Sequence, residues 1–412
     1  MRADALVLGA GMVGVCTALQ LARRGWSVAL VDRRAPGRET SYGNAGIIQR
    51  EAVEPYPFPR DLPTLLKVIR KGGIDVNYHA TALPHLLPSL FRYWQASAPT
   101  RYARIAQEWA RLIEHCLSEH EILIHESGAD ALVRREGWRQ GYRTEKLFRE
   151  GIERAARLSN TFGIQYTVHN SVALARAEPG LLRPMAGAIH WTEPWTVRDP
   201  GALVAHYADL FVRLGGHLFE GDAATLQPHG SGWRVTTPDG PLDAQHAVIA
   251  LGPWARQATR ALGYRLPLFI KRGYHRHYAG ELPLTRPLLD VAHGVMLVPM
   301  NAGLRITTGA EFAQHEAPPT PLQLDKAERV ARELIPLGPP LEEKPWLGAR
   351  PCTPDMKPVI GPAPRHANLW FHFGHAHQGF TLGPASARLL AELMCGEPPY
   401  LDPQPYSAQR FE

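Results

Sequence analysis

Residues 4–32, DALVLGAGMVGVCTALQLARRGWSVALVD, decide the fold class. DALVLG (4–9) is a short apolar run of the kind buried in a parallel sheet. Gly9-x-Gly11-x-x-Gly14 follows at once, and the spacing predicts a helix over Val15–Arg24. SVALV (27–31) predicts a second strand, ending at Asp32, eighteen positions after the last glycine. Each residue type has a task in a β-α-β unit that binds a dinucleotide. Gly9 permits the tight turn, Gly11 lets the backbone approach a pyrophosphate, and Gly14 lets helix and strand pack closely. The helix N-terminus offers unpaired N–H groups and partial positive charge to phosphates. Asp32 would accept hydrogen bonds from ribose hydroxyls. Arg33 leaves two readings open, a 2′-phosphate contact or a solvated strand end.

The next segment, GRETSYGNAGII (37–48), favours FAD over NAD. It is rich in small and hydroxyl residues where a loop can run beside a long cofactor. Ser41, Asn44, Ala45 and Gly46 can offer hydroxyl, amide and backbone contacts without bulk, although an ordinary surface loop has the same composition.

A chain of 412 residues is longer than one core usually supports, so two domains interleaved in sequence are expected. Hydrophobic content of 45% and charged content of 20% describe a globular protein. The formal charge is +6, but no run of five Lys/Arg occurs, which argues against nucleic acid as a partner and leaves anionic small molecules or a membrane surface. Cys16, Cys116, Cys352 and Cys395 show neither a CxxC nor zinc spacing, so neither a disulfide framework nor a metal site is expected, in keeping with a reducing cytoplasm. The glycine-punctuated opening is read as a nucleotide turn rather than a leader, and no run of eighteen apolar residues occurs.

Prolines dot residues 55–99, a connector with short helices. Residues 101–126 show helical spacing of apolar positions. His115, His120 and His125 recur every five residues, roughly 140° apart on a helix, so they cannot converge on one metal ion and are read as helix surface. Residues 131–144 read as a sheet segment and 145–159 as a helix. Asp199-Pro200 caps a helix that ends at Gly215-Gly216. Short strands follow, the last ending at Gly252, and residues 264–312 predict an antiparallel sheet flooring a substrate site. Residues 368–396 give a strand, a Gly/His-rich turn and a helix. That helix N-terminus could hold negative charge on a reduced flavin, and His375 and His377 are candidate acid–base or orienting groups. In GARPCTPDMKPVIG (348–361), Arg350 is a candidate carboxylate hook and Cys352 a candidate flavin tether. Either could equally be packing.

In this order, the motifs LGAGMVGV with VDRR, ETSYGNAG, IALGPWA, KRGYH, GARPCTPDMKPVIG and GHAHQGFTLGPASARLLAEL resemble the FAD-dependent amino-acid oxidoreductases of the D-amino-acid-oxidase superfamily. The likeness covers essentially the whole chain and is nearest to the bacterial D-amino-acid dehydrogenase small subunit. It implies an α/β chain, α+β overall: a discontinuous Rossmann-like FAD-binding domain (1–75, 196–262, 345–412) and an antiparallel-sheet substrate domain (76–195, 263–344). It implies hydride transfer from a D-amino acid, of proline or hydroxyproline type, to flavin N5. Electrons would pass to a quinone or another carrier, with the chain cytoplasmic and peripheral on the inner membrane face. Gly9, Gly11, Gly14, Asp32 and Arg33 would bind the ADP half, Ser41, Asn44, Ala45 and Gly46 would line the path to the flavin, and Ala223 and Gly252 would pass near adenine and ribitol. Gly374, Gln378, Gly379 and Thr381 would meet the isoalloxazine. Arg350 would grip the substrate carboxylate, with Tyr274, His275 and His377 as further polar contacts. Sarcosine-oxidase relatives carry flavin on a cysteine near a TPD-like segment. Here C-T-P-D lacks that motif's spacing and tyrosine, so non-covalent FAD is expected. Two alternatives stand: an oxygen-using oxidase of glycine or sarcosine type, and a flavin-bearing subunit of a heteromeric complex.

Overall fold

A computed structural model of the chain describes residues 2–70 and 73–412. Its first sheet is built on parallel strands in the order His217–Glu220, Val28–Asp32, Arg2–Leu8, Gly240–Ile249, Leu369–Phe373. The opening strand is apolar without alternation because both of its faces are covered. Ala5 and Val7 enter one hydrophobic core, while Leu6 and Leu8 enter another. Gly240–Ile249 serves two partners. Its first half pairs with Gly232–Thr237 in a hairpin and its second half with Leu369–Phe373.

Helix Met12–Ala22 packs on the helix Gly379–Met394, which makes the two strand–glycine–helix units neighbours. Gly383 permits the approach, since a Cβ there would lie 2.6 Å from Met12 Cγ. The helix Pro200–Arg213 completes the layer, with Asp199 accepting from the Ala202 N–H at 2.9 Å as expected of its cap.

The second sheet has ten strands and is mainly antiparallel, with two parallel pairings. At its centre Phe269–Tyr278 pairs with Gly303–Thr307 on one side and Trp346–Cys352 on the other. The strand Trp346–Cys352 therefore lies in this sheet, not with the nucleotide-binding segments where the sequence placed it. The helices Pro99–Glu114 and Cys116–Ser127, placed by sequence in the substrate segments, pack instead on Gly379–Met394. They also correct the single helix read over 101–126, because the chain breaks at His115. His120 is no surface residue: it is buried, with Nδ1 2.9 Å from Tyr207 Oη and Nε2 2.9 Å from Phe380 O.

Candidate active site

The turn after the first strand is shaped for close approach. Gly9 has φ +107°, and a Cβ there would sit 2.6 Å from Ala250 O. A Cβ at Gly14 would sit 1.7 Å from Gly9 O, so the helix can start where it does only without a side chain. Asp32 Oδ2 accepts from the Ala10 N–H at 2.6 Å and Oδ1 from the Arg34 N–H at 3.0 Å, and burial raises its pKa. Ser41 Oγ accepts from the Met12 N–H at 3.0 Å. Arg33 pairs with Glu39 at 2.8 Å and lies 4.4 Å over the Trp254 ring. Its charge is thus already matched, which favours the strand-end reading over a 2′-phosphate contact.

A cavity of about 960 Å³ joins this turn to the second sheet. Its lining includes Gly9, Gly11, Asp32, Arg33, Ser41, Asn44, Ala45, Ala223, Gly252, Gly374 and Gly379, together with Tyr274, Arg350 and His377. Five expected contacts lie elsewhere. Gly14 is under the turn. Gly46, at φ +65°, is packed against Val197 O in a turn of its own. Gln378 Nε2 donates to Gln49 Oε1 at 2.8 Å, and Thr381 Oγ1 accepts from the Gln49 N–H at 3.2 Å, so both act through Gln49, which does line the cavity. His275 is stacked on Trp346, centroids 4.8 Å apart, with burial pushing its pKa to about 2.

Strand register explains the floor. Lys271 faces Arg350, Gly273 faces Gly348 and His275 faces Trp346 across the antiparallel pair. Side chains alternate along a strand, so Lys271, Gly273 and Arg350 share one face. The Arg350 guanidinium lies over Gly273, where a Cβ would come within 2.7 Å of it. Nη1 donates to Gly309 O at 3.0 Å, and no carboxylate among the described residues pairs with Arg350. Burial lowers its pKa, but a guanidinium stays charged. Lys271 is also buried with no carboxylate partner among the described residues: Nζ lies 4.5 Å over the Tyr93 ring and donates to Tyr93 Oη at 3.1 Å. Tyr274 points to the other face. Its hydroxyl donates to Glu311 at 2.9 Å and accepts from the Thr320 N–H at 2.7 Å, so it is not free for a substrate.

His377 packs beside Tyr56 at 5.1 Å, and its pKa is held well below the usual range by burial and then by the Arg350 and Lys271 charges. His375, at about 3, contacts Ser386 Oγ at 3.0 Å. Both imidazoles are neutral near pH 7, so neither arrives as a general acid. The turn that carries them is tied to the Arg350 strand: Ala376, a non-glycine at φ +50°, donates its N–H to Pro351 O at 2.8 Å. Cys352 is fully buried and absent from the cavity lining, with its thiol pKa raised by burial.

Residues that the sequence reading did not single out complete the wall. Gln49, Tyr56, Tyr93, Trp138, Trp346 and Lys271 all line the cavity. Behind them Glu51 Oε1 accepts from Gln49 Nε2 at 2.8 Å and from Trp138 Nε1 at 2.9 Å, and burial pushes its pKa up to about 7. Only Lys271 had a legible signal, a cation two residues before a glycine on a predicted strand.

The glycine cradle at Gly9 and Gly14, with a helix N-terminus beyond it, fits a dinucleotide pyrophosphate. Comparison with known proteins agrees. A family model described as FAD dependent oxidoreductase (DAO) matches residues 4–393. A D-amino-acid oxidase of Bradyrhizobium diazoefficiens is 30% identical, covering 98% of both chains. A D-amino acid dehydrogenase of Chromohalobacter salexigens is 29% identical, covering 98% of this chain and 99% of its own. Among solved structures, glycine oxidase from Geobacillus kaustophilus shares the fold with a TM-score of 0.73 at 21% identity, covering 99% of each chain.

Proposed function

Because the chain belongs to the DAO family of FAD-dependent oxidoreductases and acts on amino acids, we propose that its substrate is a D-amino acid of proline or hydroxyproline type. The observation that carries this reading is Arg350: a charged, enclosed guanidinium that opens on the cavity with no carboxylate partner among the described residues. Bound FAD supplies the acceptor for the substrate hydride. Gly9, Gly11 and the N-terminus of helix Met12–Ala22 would hold its pyrophosphate, and Gly374 and Gly379 would border its ring. Arg350 would clamp the substrate carboxylate through two parallel N–H donors, which fixes the Cα–H direction. Neutral His377 would face the substrate amine without adding positive charge, while the Tyr93 hydroxyl is held between Lys271 Nζ and Tyr56 O. An amine that enters neutral leaves no proton for a strong base to remove. The imine product then hydrolyses to a 2-oxo acid and ammonia, or stays cyclic if the substrate was a ring. The acceptor we propose is a quinone or another carrier, reached at the inner face of the membrane, with the flavin held non-covalently.

Anaerobic flavin bleaching across D- and L-amino acids, glycine and N-methyl amines tests this reading. Fast bleaching by D-proline-type substrates, with little peroxide once air is admitted, is expected. Preferential bleaching by glycine or sarcosine with rapid peroxide release would replace it with an oxidase. A chain that bleaches with nothing until a second subunit is added would be a component of a heteromeric complex.

A further inference from the structure

Among the described residues, exposed large apolar side chains are densest in one segment, where Tyr56, Leu62, Leu66, Ile69, Leu87, Phe91 and Trp94 all face water. Helix Leu62–Ile69 turns Leu65 and Val68 to the cavity but exposes Leu62, Leu66 and Ile69, spaced four and three apart. Helix Leu83–Ala96 does the same: Leu86 and Tyr93 are buried while Leu87, Phe91 and Trp94 face solvent at the same spacing. Leu62 is 67% exposed and Phe91 58%. On each helix the inward and exposed apolar positions adjoin in one band roughly 160° wide, broader than the stripe a surface helix needs to seat itself, and the outer half of each band is left in water. Isolated exposed leucines elsewhere need no explanation, but two stripes on neighbouring helices do. The helices are joined at Arg60, which precedes the Asp61 cap, donates to Trp94 O at 2.6 Å and lies 4.0 Å over the Trp94 ring. Trp94 in turn stacks with Phe91.

Charge identifies the occupant. Residues 56–104 carry seven Lys and Arg against two Asp, so a formal +5 of the chain's +6 falls in this stretch. One of the two acids, Asp61, is committed to the Thr64 N–H as a cap. Leu, Ile, Phe and Trp stripes flanked by arginines are the composition of helices that lie in the headgroup region of anionic bilayers, with arginine stems reaching along the apolar surface. No described helix is long and apolar enough to cross a membrane, so the contact would be lateral.

We propose that helices Leu62–Ile69 and Leu83–Ala96 form a docking surface for an anionic lipid bilayer, which seats the rim of the active-site cavity against the headgroups. Tyr56, Leu65 and Val68 belong both to that rim and to the cavity lining. A lipid-soluble electron acceptor would then meet the cavity without crossing bulk water. That consequence rests on the proposed acceptor; the docking surface itself does not.

The test uses the full chain loaded with FAD and vesicles of phosphatidylcholine with or without phosphatidylglycerol, at low and high salt. Co-sedimentation is expected only with phosphatidylglycerol at low salt, with a blue shift of tryptophan emission. Arg70→Gln and Arg92→Gln should each weaken partition about fivefold. The double variant Leu66→Ser/Phe91→Ser should abolish the shift, yet bleach in vesicle-free solution at a rate within about twofold of the parent. Absence of vesicle binding, or binding unchanged by these variants, would overturn the proposal. So would light scattering that shows a dimer which Phe91→Ser dissociates, because the face would then join two copies. A chain that docks but does not bleach keeps the surface and loses the substrate reading, and the converse result does the reverse.

Discussion

Replacing Arg350 with leucine removes the guanidinium that Gly273 leaves room for and, on the proposed reading, leaves the substrate carboxylate without its paired donors beside Gly273. Truncating one partner of an enclosed charge pair costs about 2–5 kcal/mol, or roughly thirtyfold to several thousandfold in kcat/KM. Lys271, opposite Arg350 in register, would keep part of the attraction, which argues for the lower half of that range. Lysine at 350 would restore charge but not the two-pronged geometry, and should recover only part of the loss. Stability should move differently. In the unliganded protein Arg350 donates to backbone carbonyls and pairs with no described carboxylate, so leucine leaves no opposite charge orphaned. The urea midpoint should therefore stay level or rise. Stopped-flow anaerobic reduction separates substrate binding from hydride transfer, and a carboxylate-free amine serves as control. The assignment is refuted if kcat/KM falls by less than about twofold, or falls equally for the carboxylate-free amine.

Four further outcomes follow from the same geometry. Gly14→Ala would bring a methyl within 1.7 Å of Gly9 O and should yield unfolded or colourless protein. Gly11→Ala meets nothing nearer than Ser41 Oγ at 3.4 Å, so it should stay folded yet lose flavin on gel filtration; parental flavin retention would show that the cofactor does not approach there. Glu311→Gln leaves Arg272 charged and buried without its partner, and should cost about 3–5 kcal/mol in urea denaturation, a loss below about 1 kcal/mol counting against the pairing. Glu51 titrates at about 7 in the fold against its ordinary 4.5, raised chiefly by burial. The native state therefore holds an extra proton between those values, and its stability declines as pH rises through them, by about 3 kcal/mol in all. Glu51→Gln should flatten that decline, as read from urea midpoints at either end of the window, and an unchanged slope would place Glu51 in a wetter setting.

Local contiguity made the nucleotide half legible. In Gly9 to Asp32 the strand, turn, helix and acid are consecutive, so their relation in space is fixed by chain geometry. Gln49 and Glu51 are near neighbours in sequence, but Trp138 reaches Glu51 from a distant part of the chain, and only long-range packing brings it there. Five-residue spacing on a helix turns His120 and His125 apart, yet it shows neither the break at His115 nor what covers each ring. Tyr207 and Phe380, distant in sequence, bury His120. The floor of the cavity shows the limit most sharply. KRGYH places two cations side by side on a strand, and alternation sends them to opposite faces, but which face opens on the cavity depends on the partner strand's register. Pairing of Lys271 with Arg350 settles it. Arg272 turns to Glu311 and is neutralised there, and Tyr274 donates its hydroxyl to the same carboxylate. Lys271 and Arg350 turn to the cavity and are left without a described carboxylate. A slip of one residue would exchange Lys271 and Arg272 between the faces. The cavity would then receive the cation whose acid sits on the neighbouring strand, and the positive charge proposed to draw an anion from solution would already be satisfied from within.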